Sequence, residues 1–365
     1  MRIATFNTKN LFSRARVMNL NSWSQGRPVL NDIAALNSLL AESHYTAPVK
    51  KRIKKILEKY EFNVPDRRDR LFVIVEVREK LYAVDKSSNQ LEIVADGRSD
   101  WVGWVELGRD EINGEAVMNT GRVISEVNAD IQCVVEVESR ITLDRFNQQV
   151  LAKIPDFRPF EHNMLIDGND ARGIDIGLLS RFPIISVRSH IDDGGQMPIF
   201  NRDCPEFEIA LPDGKSIWIL GNHFKSKGNG SFSENNAWRR RQATQVARIY
   251  HEALRRSDLV IVLGDLNDSP DSFPLRPLLR GTNLREVMSH PSYQGLPGTY
   301  GSGRSISQKL DYILLSPALW QRVQKVGVER KGVYAFSASR RFQTITSPET
   351  AASDHAAVWV DIDMT

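Results

Sequence analysis

Four residues with no polar group, Val260-Ile-Val-Leu263, run directly into Gly264-Asp-Leu-Asn267. So apolar a run reads as a strand buried on both faces. A strand of that kind needs a layer on each side, which constrains the chain to a layered α/β or sandwich architecture. The run ends abruptly in a carboxylate and an amide. Two polar side chains therefore stand at the mouth of a rigid core element, where binding and catalytic groups are best held.

The same pattern recurs in distant parts of the chain. Ile3-Ala-Thr-Phe-Asn7 is a short strand closing on Asn7, and Asp130-Ile-Gln-Cys-Val-Val-Glu136 closes on Glu136, with Glu138 just beyond. Near the other end, Asp354-His355 precedes Ala356-Ala-Val-Trp-Val-Asp-Ile362, which alternates like a strand. Any one of these pieces alone reads as a turn or a cap. Together they supply Asn, Glu, Asp, Asn, Asp and His at the ends of separate strands. An oxygen-rich set of that kind suits a hard divalent cation, Mg²⁺ or Mn²⁺, better than zinc. An Asp beside a His can orient and charge an imidazole for proton transfer.

Seven pieces, in order, resemble the endonuclease/exonuclease/phosphatase superfamily. They are Ala4-Thr-Phe-Asn7, Asp130 to Glu138, Arg172-Gly-Ile-Asp-Ile-Gly-Leu-Leu-Ser-Arg181, Gly221-Asn-His-Phe-Lys225, Gly264-Asp-Leu-Asn267, Leu310-Asp-Tyr-Ile-Leu-Leu315 and Ser353-Asp-His355. The resemblance covers residues 1–12 and 115–365. It implies a four-layer αββα sandwich, two mainly antiparallel sheets face to face with helices outside and the site at one edge. It also implies a metal-dependent phosphodiesterase. Glu136 and Asn7 are the implied metal ligands. His223, Asp265, Asn267, Asp311, Asp354 and His355 are the implied catalytic group, with Asp311 orienting an imidazole and Asp354 either orienting the site's imidazoles or binding metal. Arg172, Asn222 and Lys225 are the implied substrate contacts.

The chain departs from the family pattern in three places. Val135 stands before Glu136 where relatives often have Gln. Lys9 stands two residues after Asn7, where some abasic-site enzymes have Asp. The Trp-containing signatures of the inositol-phosphate 5-phosphatases are missing, which argues against inositol phosphates.

Composition sets wider bounds. Hydrophobic content of 41% with 25% charged residues describes a globular chain, not a disordered one. A net charge of +3 does not by itself announce nucleic acid. Local clusters do point to phosphate: Lys50-Lys-Arg-Ile-Lys-Lys55, Arg67-Arg-Asp-Arg70, Arg239-Arg-Arg241 and Arg340-Arg341. Cys133 and Cys204 are the two cysteines, and Cys133 lies within a core strand, so no disulfide is expected. No apolar run approaches the roughly 18 residues of a membrane span. The first strand starts at Arg2 and leaves no room for a signal peptide, so a cytoplasmic location and no membrane partner are expected.

Residues 1–365 thus read as one catalytic domain carrying an inserted helix-and-sheet subdomain over 20–112. Helices are expected over 31–43 and 47–60, with Lys50, Lys51, Lys54 and Lys55 on the polar face of the second. Strands are expected over 71–77, 80–84, 90–94 and 101–107. Trp101 and Trp104, on opposite faces of the last strand, should divide between core and surface. Because Asn7 ends at the catalytic edge, the insertion should emerge beside the site as a wall or lid. After residue 115, segments 172–179 and 184–189 read as a strand pair turning at Pro183, and 206–211 with 216–220 as a hairpin. The longest helix is expected over 234–255.

The activity expected is hydrolysis of nucleic-acid phosphodiesters, DNA first. RNA, a lipid headgroup or small phosphate, and a non-catalytic nucleic-acid-binding role are the alternatives. The intact Glu136, Asp265, Asn267 and His355 count against the last.

Overall fold

The computed structural model describes residues 1–364 except 12–14, 21–22, 65–68, 109–112, 171–172, 228–230, 302–304 and 338–339; for residues 10, 18, 19 and 23 it describes the backbone alone. The chain divides into two compact units, Met1–Phe12 with Ile112–Thr365, and Ser13–Glu111.

The first unit begins with β1 (Arg2–Leu11). The chain then builds the second unit from α1 (Trp23–Leu40), α2 (Ala47–Lys59), β2 (Phe72–Arg78), β3 (Tyr82–Val84), β4 (Leu91–Ile93) and β5 (Val102–Leu107). In that unit β2 pairs with β5 and β3 with β4, both antiparallel. Leu36, Leu39 and Leu40 of α1 and Ile53 and Leu57 of α2 share its core with Phe72, Leu91 and Trp101. Helix α1 starts eight residues before the periodic stretch that marked it. Gly26 and Pro28 break that pattern, but Val29 and Leu36 are buried with Val17 in the unit's core, and this packing extends the helix. Trp101 is buried and Trp104 is half exposed, as their opposite faces require.

The first unit resumes with α3 (Gly114–Val127), β6 (Ile131–Val137), α4 (Arg140–Gln149), β7 (His162–Leu165), β8 (Asp175–Ser180), β9 (Ile184–Arg188), β10 (Glu206–Ala210), β11 (Ser216–His223), α5 (Phe232–Leu254), β12 (Val260–Asp265), α6 (Arg276–Leu279), β13 (Arg285–Glu286), β14 (Asp311–Leu315), α7 (Pro317–Trp320), β15 (Val323–Glu329) and β16 (Ala357–Ile362). One six-stranded sheet has the order β15-β16-β1-β6-β8-β7, and the other β13-β14-β12-β11-β10-β9.

Alternation along the strands builds the layers. Ile3, Ile131, Cys133, Val135, Val358 and Val360 of the first sheet meet Ile217, Ile219, Ile261, Leu263, Ile313 and Leu315 of the second. Their neighbours point the other way. Ala4, Phe6 and Val134 pack with Val123, Ile124 and Val127 of α3. Trp218, Leu220, Val260 and Val262 pack with Val246, Ile249 and Tyr250 of α5. This is the four-layer αββα sandwich. Helix α5 starts on a capping box between Ser231 and Glu234. Among the described residues no helix is long and apolar enough to cross a membrane.

One expected pairing is corrected. Strands β8 and β9 are adjacent in sequence but lie in different sheets: β8 sits between β6 and β7, and β9 is the edge strand beside β10. The turn at Phe182-Pro183 is present, held by Ser180 Oγ, which donates to Phe182 O and accepts from Phe182 N. It carries the chain across the sandwich instead of back onto β8. Every residue of β8 is buried, so it needs a partner on each side and takes β6 and β7. A turn sequence specifies a reversal, not which sheet receives the next strand.

Candidate active site

Strand parity decides which side chains reach the site. Residues 3, 5 and 7 of β1 face the layer between the sheets, as do 261, 263 and 265 of β12 and 311, 313 and 315 of β14. At one end of that layer the apolar series gives way to Asn7, His223, Asp265 and Asp311, all buried. Gly264 lies between Leu263 and Asp265 at φ +127, where a Cβ would sit 1.9 Å from Asn222 O. Only glycine fits there, and it lets Asp265 pack tightly against the end of β11.

Glu136 arrives by a different route. Along β6, Val135 faces the second sheet and Val137 faces the helices, so the residue between them is extra. The register of β6 against β8 shifts there, and Glu136 has φ 66. This bulge turns the Glu136 carboxylate toward the site, where plain alternation would have aimed it at the outer helices. Lys9 is a second bulged residue, at φ 52 where β1 shifts register against β6. Asn267 has φ 53. Asn tolerates that region, but Lys9 and Glu136 do not favour it, and their strain is of the kind found where function fixes geometry.

The contacts form one network. Asn7 Nδ2 donates to Glu136 Oε1 at 3.3 Å and to Asp265 Oδ2 at 3.1 Å. Asp265 Oδ1 accepts from the Asn267 backbone N–H at 2.8 Å, and Asn267 Nδ2 reaches Asp265 Oδ2 at 3.2 Å and Phe224 O at 3.1 Å. His223 Nε2 lies 3.7 Å from Glu136 Oε1 and 3.8 Å from Asp265 Oδ2. His355 Nδ1 meets Asp311 Oδ2 at 2.9 Å, which leaves Nε2 facing Asp265 Oδ2 at 3.9 Å. Asp354 Oδ2 is held by Lys9 Nζ at 2.8 Å.

The electrostatics follow from burial and crowding. Burial pushes Asp265 above the usual carboxylate range; Asp311 adds to this, while His355, the Asn267 N–H and Asn7 oppose it. For His355 burial disfavours the imidazolium, but the charges of Asp311 and Asp265 outweigh it and raise the ring to about 10. These charges favour the protonated ring, which would donate from Nε2. Asp311 Oδ1 is buried with no hydrogen-bond partner among the described residues.

Asn7, Glu136, His223, Asp265, Asn267, Asp311 and His355 thus converge, with Asp354 joined through Lys9. Lys225 is placed just beyond His223, half buried, with its backbone N–H donating to Gln242 and its carbonyl accepting from Arg239. Asn222 is not brought into the site. It has the opposite parity to His223, is fully buried, donates to Leu220 O at 3.0 Å and lies against Cys204 on the α5 side. Arg172 lies outside the described residues.

Several supporting residues were not singled out from the sequence. Asp268, immediately after Asn267, is buried and holds the fully buried Arg239 at 3.1 Å, which ties the Asp265–Asn267 turn to α5. The Asp-Leu-Asn-Asp run was the available signal. Tyr300 places its ring 4.9 Å from the His355 ring, with no sequence signal beyond its aromatic character. Asp175, at the start of β8, is raised to about 7 by burial first and by Asp167 and Asp170 next, while Gly168 N donates to its Oδ1 at 2.9 Å.

The donor set fits a hard cation. Glu136, whose side chain is 22% exposed, is the carboxylate of the network most open to solvent. Its neighbours Asp265, Asp311 and Asp354 crowd negative charge at one end of a buried layer, and oxygen donors of this kind favour Mg²⁺ or Mn²⁺. The cluster of Asp265, Asp311 and His355, with ligand atoms all within 4.8 Å of one another, fits a cation less well. Asp311 Oδ2 is already engaged by His355 Nδ1 at 2.9 Å, and the charges of Asp311 and Asp265 favour the protonated ring, which cannot ligate.

A family model described as the Endonuclease/Exonuclease/phosphatase family matches residues 114–355. The chain belongs to that family. Its members act on phosphoester bonds, and the chain is a hydrolase of that class. No curated protein matches the sequence. Among solved structures the chain is similar to a mannosyl-6-phosphatase from Bacteroides thetaiotaomicron, at 16% identity over 69% of this chain and 91% of that one, TM-score 0.50. It is also similar to an endonuclease/exonuclease/phosphatase family protein from the same organism, at 16% identity over 79% and 96%, TM-score 0.49. A third is a 3′-phosphatase from Neisseria bound to a product DNA hairpin, at 13% identity over 66% and 92%, TM-score 0.45. At these identities the likeness is one of fold.

Proposed function

We propose that this chain is a divalent-metal-dependent phosphodiesterase that hydrolyses DNA. The observation that carries the reading is the convergence of Glu136, Asn7, His223, Asp265, Asn267, Asp311 and His355 at one end of the layer between the sheets.

Glu136 is the residue to hold Mg²⁺ or Mn²⁺. Asn7 presents its amide N–H groups to Glu136 and Asp265, so it positions those carboxylates, and the ligand role falls on Glu136. When bound, such an ion offsets charge on the phosphate and the leaving oxygen. The remaining steps belong to the chain. Asp265, fixed by Asn7 and Asn267, faces the space where an attacking water sits and orients it. His355 donates from Nε2 to a phosphoryl oxygen, with Asp311 holding Nδ1 and the positive charge. His223 Nε2, between Glu136 and Asp265, supplies a second donor. Lys225 steadies a non-bridging oxygen. Donors preset for charge that develops in the transition state are worth a hundredfold or more in rate.

Local positive charge supports a polyanionic substrate. Lys9 is half exposed beside Asp354, and Lys225 lies half buried just beyond His223. The test is a substrate panel with Mg²⁺, Mn²⁺ and EDTA: supercoiled, linear and single-stranded DNA, RNA, a sphingolipid and a sugar phosphate. Metal-dependent cleavage of DNA is expected. Turnover of the sugar phosphate or lipid alone would overturn the DNA reading and keep phosphoester hydrolysis. Full activity in chelator would overturn the metal.

A further inference from the structure

We propose that the Lys9 ammonium is a built-in cation that occupies Asp354, so that the site takes a single divalent ion, at Glu136. The inference rests on the metal reading above.

Positive charge at the site is distributed unevenly. Asp265 and Asp311 share the ring of His355, at 3.9 and 2.9 Å. Asp354 is paired with Lys9 at 2.8 Å. Glu136 meets the amide of Asn7 at 3.3 Å and the ring of His223 at 3.7 Å, with no lysine or arginine among its ion-pair partners in the described residues. A hard dication seeks a carboxylate that is not already satisfied by an ammonium, and Glu136 is that group. A second dication at Asp354 would have to displace Lys9 or sit against its charge.

The backbone at Lys9 is shaped for this pairing. Lys9 is the middle of the three β1 residues between Asn7 and Leu11 where the register against β6 shifts, and it has φ 52. Its N–H donates to Asn7 Oδ1 at 3.2 Å, which fastens the bulge to the amide that contacts Glu136 and Asp265. The bulge places Lys9 so that its side chain reaches Asp354, 345 positions away in sequence. Lysine gains nothing from the left-handed region, where Asn and Asp are the favoured non-glycine residues. Nor does folding stability explain the pair, because the Lys9 side chain is 54% exposed and such pairs add little. Strain that returns no stability, at the edge of a cluster of acids, points to function. The exposed side of the same ammonium stays open to a phosphate oxygen, so Lys9 offers the substrate the positive charge that a second ion would otherwise bring.

The test is a Mn²⁺ titration of the full chain by calorimetry, with free Mn²⁺ followed by electron paramagnetic resonance. It compares wild type with Lys9→Arg, Lys9→Asn, Lys9→Asp and the double variant Lys9→Asp with Asp354→Asn. Asn and Asp suit the left-handed backbone, so these changes alter charge and leave the bulge in place; thermal melting checks that each variant folds. One Mn²⁺ per chain is expected for wild type and Lys9→Arg. Lys9→Asp should bind a second Mn²⁺, at least about tenfold tighter than any second event in wild type, and Asp354→Asn in that background should abolish it. Lys9→Asn should fall between. Two ions in wild type, or identical stoichiometry and affinity across the Lys9 series, would overturn the inference while leaving Glu136 as the metal site. No Mn²⁺ binding by wild type or any variant would sink the metal reading and this inference together.

Discussion

His355 Nδ1–H donates to Asp311 Oδ2 at 2.9 Å, and this bond leaves Nε2 as the ring nitrogen facing Asp265. Asp311 opens β14 of one sheet, and His355 lies two residues before β16 of the other. Their bond therefore joins the halves of the sandwich as well as orienting the imidazole. Asp311→Asn keeps the size of the side chain and removes the charge that sustains the imidazolium. The expected result is a fall in kcat of about a hundredfold with KM little changed. A similar fall in KM and kcat with loss of the folding transition would show that the bond is only structural.

Glu136 is held at φ 66, which costs a residue with a side chain about 1 kcal/mol and glycine almost nothing. It also brings a carboxylate close to Asp265. Glu136→Gly should abolish activity and raise the melting temperature by about one degree, whereas Glu136→Ala should abolish activity with a smaller gain. A melting temperature lowered by the glycine would contradict the strain argument.

Arg239 is fully buried, and its guanidinium bonds Asp268 at 3.1 Å and Lys225 O at 3.0 Å. Removing one partner of a buried pair leaves the other charge without its counterpart, at a cost of about 3–5 kcal/mol. Arg239→Met should lower stability by that order in denaturant titration. It should also slow catalysis, because Asp268 follows directly on the Asp265–Asn267 turn. Unchanged stability would mean that Lys227, 3.1 Å from Asp268, suffices.

His190 supplies a pH dependence away from the site. Its ring lies between Glu206, 2.8 Å from Nε2, and Asp193, 2.9 Å from Nδ1, with Asp203 on its backbone N–H. Arg256 and Arg188 face Glu206, and Gln245 of α5 faces Asp193. Burial disfavours the charged ring, but Glu206 and Asp193 outweigh it, so the folded pKa is raised above 6.5. The folded state thus binds this proton more tightly than the unfolded chain. The stabilisation is complete below about 6.5 and is lost as pH rises through the higher folded value. In His190→Gln the side chain is neutral throughout, so the melting-temperature gap to wild type should be widest at acidic to neutral pH and narrow in the alkaline range. A gap independent of pH would refute the charged pairing.

Helix α2 exposes Lys51, Arg52 and Lys55, while Lys50 and Lys54 face Asp96 and Glu58. If the insertion takes part in binding a long nucleic acid, Lys51→Glu with Lys55→Glu should weaken that binding and reduce its salt slope by about two. Cleavage of a minimal phosphodiester should be unaffected. Unchanged binding of long DNA would leave the insertion a structural role.

Much of the fold could be read from strand composition. Val260–Leu263 announced a doubly buried strand, and β12 is buried at every position. The hairpin of β10 and β11 forms where the segments 206–211 and 216–220 placed it. Strands β7 and β15 went unread because neither carries a long apolar run; their residues are in part exposed at sheet edges. For the site, alternation was enough to place Asp265 with Leu263 and Asp311 with Ile313. The same parity, applied to Asn222, predicts that it faces the helices, and it does.

The sequence by itself determined which residues end strands and which face of each strand they share, because side-chain direction has a period of two and is fixed locally. Tertiary structure decided the rest. Only packing sends β8 and β9 to different sheets, since that depends on which neighbours can cover a fully buried strand. Only the paired register of β1, β6 and β8 creates the bulges at Lys9 and Glu136, because a bulge is a mismatch between strands and no single strand encodes it. Those two bulges aim the Glu136 carboxylate and carry the Lys9 ammonium to Asp354, a charge arrangement that exists only once distant strands lie side by side.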